Sequence, residues 1–215
     1  MISFGGHRAI FFEGHMSTKL EAVNTMLDAI GEAPVSSLSS GLDDAETAER
    51  ILNKVTKDIL SIGWHVNTDE NVSLSPNTDG HVLLPPTVLR VDTVGTDRGI
   101  NVTSRVDPND GMRKLFRIKE QSYTFAAPVQ VTITHLFDFE GLTHDLQRYI
   151  TAAAARAFQK STVASGALDK MLAEEEARAL AALNDAEAES EDLNILTDNE
   201  HCRSITFRRN SLWGT

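Results

Sequence analysis

The spacing of apolar residues changes twice along this sequence, and this change limits the folds that the chain can adopt. Up to Trp64, apolar residues recur every three or four positions, as on one face of an α-helix. Through residues 65–136, β-branched and aromatic residues alternate with polar ones, which is typical of β-strands. Helical spacing returns at Thr143. This order predicts an α+β fold: a four-helix bundle of two N-terminal and two C-terminal helices, interrupted by a central β lobe.

The first helical pair is bounded by clear start and stop signals. Thr18 and Glu21 fit a capping box, and Gly31 ends the first helix. The second helix begins at Asp43 and ends at Gly63, and Trp64 is expected to pack beneath its end. The predicted apolar faces are Leu20, Val23, Leu27 and Ile30, then Ala48, Ile51, Leu52, Val55, Ile59 and Ile62.

The second helical pair follows the β region. We expect Thr143 to cap a third helix that runs to about Lys160, and a fourth helix to occupy about residues 167–188. The predicted apolar faces are Leu146, Tyr149, Ile150, Ala153, Ala157 and Phe158, then Leu168, Met171, Leu172, Ala179 and Leu183. Between the two pairs, strands are predicted at 72–74, 82–84, 88–91, 114–118 and 129–136, with turns at 77–80 and 108–111.

These patterns divide the chain into segments. Residues 17–64 and 143–190 form the helical bundle, 65–142 the β lobe and 191–215 an extended C-terminal arm. Residues 1–16 are expected to be a leader or vector-derived segment, because the sequence of residues 14–16 is typical of a cloning junction. No apolar run approaches the roughly 20 residues of a membrane span, so we predict no membrane association.

The charge of the chain argues against general binding of nucleic acid. The formal net charge is −11, whereas a protein that grips phosphates over its surface should be basic. Residues 166–200 hold eleven acids against two basic residues. The last fifteen residues hold three arginines and no acid, so an acidic helix is followed by a basic arm.

The arm combines large apolar side chains with arginines. Such residues lack a helical or strand pattern that would bury them, and their composition is typical of an interface anchor. An arm that folds back on its own bundle is the alternative. The candidate anchors for a partner or neighbouring subunit are Ile205, Phe207, Arg208, Arg209 and Trp213.

No residue pattern points strongly to catalysis. Cys202 is the single cysteine, which excludes an internal disulfide and a cysteine-based zinc site. The glutamates at 174–176 occupy adjacent helical positions that point about 100° apart, which is typical of a solvated face. Asp138 and Glu140 are a weak candidate for a catalytic pair. We therefore predict no enzyme activity, no metal and no cofactor.

Residues 20–38 and 48–76 resemble tail tubular protein A, the adaptor protein of T7-like short-tailed phages. The similarity rests on Ala-Val-Asn at 22–24, Ile-Gly-Glu at 30–32, Pro-Val at 34–35, Arg-Ile-Leu-Asn at 50–53, Gly-Trp at 63–64 and Asn67. Residues 148–159 and 172–176 also resemble the third helix and acidic fourth helix of that family. The motif residues that we single out are Asn24, Gly31, Glu32, Pro34, Arg50, Asn53, Gly63 and Trp64.

The resemblance implies a structural virion protein without enzyme activity. It implies a dodecameric ring beneath the portal protein, with the tail nozzle protein below and tail fibres near the junction, assembled in the host cytoplasm. It also implies that Gly31 and Gly63 end helices, that Pro34 fixes a loop, that Trp64 anchors the β lobe, and that the arm engages the portal and neighbouring subunits.

DNA would pass through such a ring during ejection without specific binding, so we expect acids of residues 166–200 or of the β lobe to face the channel. The alternatives are another phage connector or head-completion protein, a peptidoglycan hydrolase with paired carboxylates, and a regulator that binds one bacterial partner.

Overall fold

The structure, a computed structural model, describes residues 17–39 and 41–198, with side chains as far as residue 189. These residues form four α-helices and two small antiparallel sheets, which confirms the α+β class. The helices are α1 (Lys19–Asp28), α2 (Asp43–Leu60), α3 (His144–Thr162) and α4 (Gly166–Asp198). The strands are β1 (Thr68–Leu74), β2 (Val88–Thr93), β3 (Val102–Val106), β4 (Arg113–Arg117) and β5 (Val129–His135).

Both ends of α1 form as the sequence predicts. The Glu21 backbone N–H donates to Thr18 Oγ1 at 3.2 Å, and the Thr18 N–H donates to Glu21 Oε2 at 2.8 Å, which completes a capping box. At the other end, the N–H groups of Gly31 and Glu32 donate to the carbonyls of Asp28 and Leu27, both at 3.0 Å. Gly31 has a φ of 83°, so this end is a Schellman motif that favours glycine.

Two predictions about the C-terminal helices need correction. Thr143 takes the N-cap position of α3, but its side chain makes no capping hydrogen bond. Helix α4 does not end near residue 188 but continues through Asp198. The prediction of an extended arm from residue 191 is therefore wrong for residues 191–198. No glycine or proline follows Gly166 within α4, so no strong helix breaker ends it near residue 188. The remainder of the predicted arm, 199–215, lies outside the described residues.

The helices share one apolar core. Helices α1, α2 and α3 pack against one another, and α4 packs against α3. Most of the predicted apolar positions are buried or partly buried there, but Ile62 and Met171 are 58% and 69% exposed. Ile62 follows the end of α2, and Met171 borders a groove described below. The fully buried large side chains of this core are Met26, Leu27, Leu52, Leu60, Phe139, Leu142, Leu146, Ile150, Phe158 and Leu183.

The strands form a second core. Strand β5 lies between β1 and β2 and is antiparallel to both, while β3 pairs with β4. Val129, Val131 and Ile133 of β5 are all at most 5% exposed and belong to this core, in keeping with the alternation of apolar and polar residues in the predicted strand at 129–136. The sequence did not predict β3. The predicted strand at 82–84 is instead a short extended segment that bonds to β4 through backbone groups.

Asn67 joins the helices to the β lobe. This side chain is 1% exposed, and its Nδ2 donates to the carbonyl of Leu60 at 2.9 Å and to that of His135 at 2.7 Å. Its Oδ1 accepts a hydrogen bond of 2.8 Å from the Trp64 backbone. One amide thus holds the end of α2, the start of the lobe and the end of β5.

Trp64 packs beneath α2, as predicted. Its indole Nε1 donates to the Ile59 carbonyl at 3.0 Å, and its ring meets Tyr149 edge-on with centroids 6.4 Å apart. Glu187 of α4 accepts a hydrogen bond of 2.9 Å from the neighbouring His65 backbone. The hydrogen bond across to the end of β5, however, comes from Asn67.

Replacing Asn67 with alanine should weaken the fold strongly. Asn67→Ala leaves two carbonyls and one N–H without these partners, so the free energy of unfolding should fall by about 2–4 kcal/mol. Urea unfolding followed by circular dichroism measures this change. Asn53→Ala is the matched control, because Asn53 is exposed on α2 and should change the value by less than about 0.5 kcal/mol. Equal stability of the two variants would contradict the role of Asn67.

Candidate assembly surfaces

Four of the motif residues have structural roles inside the molecule. Asn24 bonds twice to Val35: its Nδ2 donates to the carbonyl at 3.0 Å, and its Oδ1 accepts from the N–H at 2.8 Å. These bonds fix the loop after α1 and help to bury Val35. Gly31 and Gly63 end helices, and at Gly63 the φ of 88° favours glycine. Trp64 is the fourth.

The other four motif residues lie on the surface. Glu32, Pro34, Arg50 and Asn53 are exposed, and no side-chain hydrogen bond or ion pair joins Arg50 or Asn53 to another described residue. Internal packing therefore does not account for these two, which makes them candidates for contacts with other molecules. Arg50 borders a shallow groove between α2 and α3 that is lined by Asp44, Thr47, Ile51, Lys54, Val55, Asp58, Ala157, Ser161 and Thr162.

The candidate anchors in the basic arm cannot be placed on this surface. They all lie outside the described residues, so their role stays a prediction. These are Ile205, Phe207, Arg208, Arg209 and Trp213.

A second groove runs between α1 and α4 and has α3 as its floor. We call it the α1–α4 groove. Its two adjoining parts have volumes of about 440 and 540 Å³ and share Ala29, Arg148, Leu172 and Glu175. The remaining lining residues are Ser17, Glu21, Ala22, Thr25, Asp28, His144, Thr151, Ala152 and Ala155 on one side, and Leu168, Met171, Glu174 and Arg178 on the other.

Acids of α4 have two different environments. Arg156 of α3 binds Asp169 at 2.7 Å and Glu176 at 2.8 Å, and these ion pairs hold α4 on α3. The guanidinium lowers the pKa of the Asp169 carboxyl, whereas the two carboxylates raise the pKa of Arg156. The prediction that residues 174–176 form a solvated face is therefore wrong for Glu176, whereas Glu174 and Glu175 are exposed.

A cluster of ion pairs around a buried lysine shapes the turn between β3 and β4. The Lys114 ammonium binds Asp107 at 2.8 Å and Asp110 at 2.6 Å, and its side chain is only 3% exposed. Hydrogen bonds from Lys114 lower the pKa of both carboxyls, and the two carboxylates raise the pKa of Lys114. Sequence analysis missed this cluster because a lysine in a strand normally indicates a solvated position.

The turn carries exposed apolar groups beside exposed cations. We call residues 105–113 the β3–β4 tip. Val106 and Met112 are 51% and 52% exposed, and the Arg105 guanidinium lies 4.0 Å from the centre of the Phe116 ring. Residues 98–120 hold six basic residues against three acids, in a chain whose overall charge is −11. Asp107 and Asp110 are bound to Lys114, so with Lys114 included the turn has three positive charges against two negative ones, and Arg105 and Arg113 lie at its two ends.

The structure gives one member of the candidate carboxylate pair a structural contact. Glu140 Oε1 accepts a hydrogen bond of 3.2 Å from the Lys19 backbone at the start of α1, and Asp138 is exposed. Across the described part of the chain, no three His, Cys, Asp or Glu side chains are grouped as metal ligands. None of the described helices is long and apolar enough to cross a membrane.

Comparisons with known proteins agree with this picture of a structural subunit. A family model described as tail tubular protein matches residues 20–193. Tail tubular protein A of Klebsiella phage KP34 is 31% identical over 124 residues, which cover 58% of this chain and 62% of that protein. The matched region therefore spans less than two thirds of that relative's length.

These matches place the protein in the class of phage tail structural proteins. Within that class, the chain belongs to the tail tubular protein family.

The ion pairs of Lys114 predict a specific dependence of stability on pH. Because the pKa of Asp107 and Asp110 is lowered, their contribution is complete above the ordinary value of about 3.9 and is lost as pH falls through the folded-state values. Lys114→Met should therefore lower the melting temperature at neutral pH, and its difference from the wild type should shrink below about pH 4. Melting curves from pH 3 to pH 8 measure this. The exposed Lys119, changed to methionine, is the control, and an equal effect of both substitutions would refute the role of Lys114.

The two groups of motif residues should differ in their effect on stability. Asn24→Ala removes both bonds to Val35 and should lower the free energy of unfolding by about 1–3 kcal/mol. Arg50→Ala should change it by less than about 0.5 kcal/mol, because Arg50 is exposed. Chemical denaturation of both variants tests this difference between internal and surface motif residues. A larger loss of stability for Arg50→Ala than for Asn24→Ala would contradict it.

Proposed function

We propose that this protein is the subunit of a head-to-tail adaptor ring, which joins the portal protein to the tail nozzle protein of a short-tailed phage. The family match over residues 20–193 carries this proposal, because it includes the helices and the whole β lobe. In the virion the ring lies below the portal, holds twelve copies and lies near the tail fibres. The helices act as one bundle, and the β lobe projects from it.

The surface chemistry is compatible with a ring. A closed cyclic assembly uses a heterologous interface, so each subunit must present two different complementary surfaces. The groove beside Arg50, the α1–α4 groove and the β3–β4 tip differ in charge and in shape. A subunit with several distinct exposed surfaces can contact two neighbours and further tail components at once.

The C-terminal segment extends these contacts in the proposal. After α4 it acts as an arm that engages the portal and adjacent subunits. Trp and Arg are typical of the residues that dominate binding energy in interfaces. The proposed contacts are Ile205, Phe207, Arg208, Arg209 and Trp213.

The negative charge suits a channel for DNA. During ejection, DNA must move through the ring without being held by many phosphate contacts. We place acids of α4 or of the β lobe on the lumen, where they repel the duplex. Asp185 and Glu189 of α4 are among the exposed acids that are available for this. The assembly forms in the host cytoplasm and needs no cofactor.

The decisive measurement is the mass of the purified chain by light scattering, with negative-stain images, alone and after mixing with the portal of the same phage. Rings in either sample that bind the portal support the proposal. Rings that bind a head-completion partner instead of the nozzle would favour another type of connector. A chain that stays monomeric and ignores the portal would overturn the proposal. Release of peptidoglycan fragments would then favour a hydrolase, and a one-to-one bacterial complex a regulator.

A further inference from the structure

We infer that neighbouring copies of this chain join through the β3–β4 tip of one copy and the α1–α4 groove of the next. The inference rests on the proposed ring, because it needs a head-to-tail arrangement of identical chains. It assigns the two halves of one interface to described residues of the β lobe and of the helices.

The tip has the properties of an inserting element. Val106 and Met112 flank the turn, and each has about half of its surface in contact with solvent. Methionine is flexible and polarizable, so it fills irregular apolar pockets well. The exposed Arg105 and the partly exposed Arg113 lie at the two ends of the tip and provide positive charge.

The tip is also fixed in shape before any partner binds. Asp107 Oδ1 accepts hydrogen bonds from the backbone N–H and the Nδ2 of Asn109, at 3.0 and 2.9 Å. Asp110 Oδ1 accepts one of 2.9 Å from the Met112 N–H, and the Lys114 ammonium joins the two aspartates. A preorganised turn loses little conformational entropy on docking, which favours an interface role.

The α1–α4 groove offers the complementary chemistry. Its floor on α3 combines Ala152 and Ala155 with the polar His144, Arg148 and Thr151, and Leu172 of α4 lies beside it. Met171, 69% exposed, lies on the α4 side. Four acids line the groove against two arginines, and one of these, Arg178, is already paired with Glu174 at 3.3 Å. The acids are Glu21, Asp28, Glu174 and Glu175.

Charge and apolarity therefore match across the two surfaces. The tip presents arginines at its two ends and exposed apolar side chains between them, and the groove presents four acids beside alanines and Leu172. Complementary potentials favour this pairing over tip-to-tip or groove-to-groove contact. In the described part of the chain, no hydrogen bond or ion pair joins the tip to the groove of the same molecule. A second copy can therefore occupy the groove without displacing such a contact.

Cysteine cross-linking tests the pairing directly. In a Cys202→Ser background, Met112→Cys marks the tip and Thr25→Cys, at an exposed position, marks the groove. A chain that carries both changes should give a ladder of disulfide-linked oligomers on a non-reducing gel. Mixing the two single variants should give linked dimers only, and each single variant alone should give almost none.

Two controls make the result specific. Ile62→Cys replaces Met112→Cys at a similarly exposed apolar residue outside the tip, and with Thr25→Cys it should give no ladder. The chain with Thr25→Cys that retains Cys202 tests the C-terminal segment as the occupant. A cross-link between positions 25 and 202 of two copies would assign the groove to that segment and would overturn the inference.

Charge reversal gives an independent measurement. Arg113→Glu or Glu175→Arg alone should weaken self-association by about tenfold or more, and the two together should recover most of it. All samples are prepared alone and with the portal. Rings that form normally but give neither the ladder nor charge recovery would refute this interface and leave the adaptor proposal intact. Failure of the unmodified chain to assemble in both preparations would refute both.

Discussion

The buried amide of Asn67 is the contact on which the arrangement of helices and β lobe depends. Both of its N–H donors and its oxygen are used: two of the bonds go to Leu60 and Trp64 at the end of α2, and the third goes to His135, 68 residues further along the chain. At 1% exposure, water cannot take over these bonds. Neither alanine nor aspartate could reproduce them, because the carbonyls of Leu60 and His135 require a donor. This amide therefore connects the β lobe to the helices, beside the hydrogen bond between His65 and Glu187.

Charged residues of α4 and of the β lobe form local ion pairs that stabilise different parts of the fold. Asp169 and Glu176 hold α4 on α3 through Arg156, and the neighbouring Glu174 and Glu175 stay on the surface. In the β lobe, one buried lysine binds two aspartates, and together with Arg105 and Arg113 this turn carries three positive charges against two negative ones. The net charge of −11 therefore describes the whole chain but not its individual surfaces.

Local signals in the sequence predicted the parts of the fold that depend on local interactions. Thr18 and Glu21 bond to each other within the first turn of α1, and Gly31 lies just after its last residues. Both ends of α1 could therefore be predicted from nearby residues. Strand β3 could not, because its short segment becomes a strand only through pairing with β4. The partners of Lys114 likewise depend on a turn whose geometry one sequence does not reveal. The motif match identified Arg50 as a candidate contact residue. The β3–β4 tip could be identified only from the solvent exposure of Val106 and Met112 in the structure.

The division of the helical core between the two ends of the chain has a consequence during synthesis. The α1–α2 hairpin leaves the ribosome first, yet its apolar face packs against α3, and the Ser17 backbone donates to Gln147 of α3 at 3.0 Å. About 80 residues separate the two, so at ~5–20 residues per second the hairpin waits roughly 4–16 s for its partner. During that interval Leu27, Leu52 and Leu60 lack the cover that the finished protein gives them. On a polysome, where many nascent chains are close together, this delay favours chaperone binding or premature contact between copies.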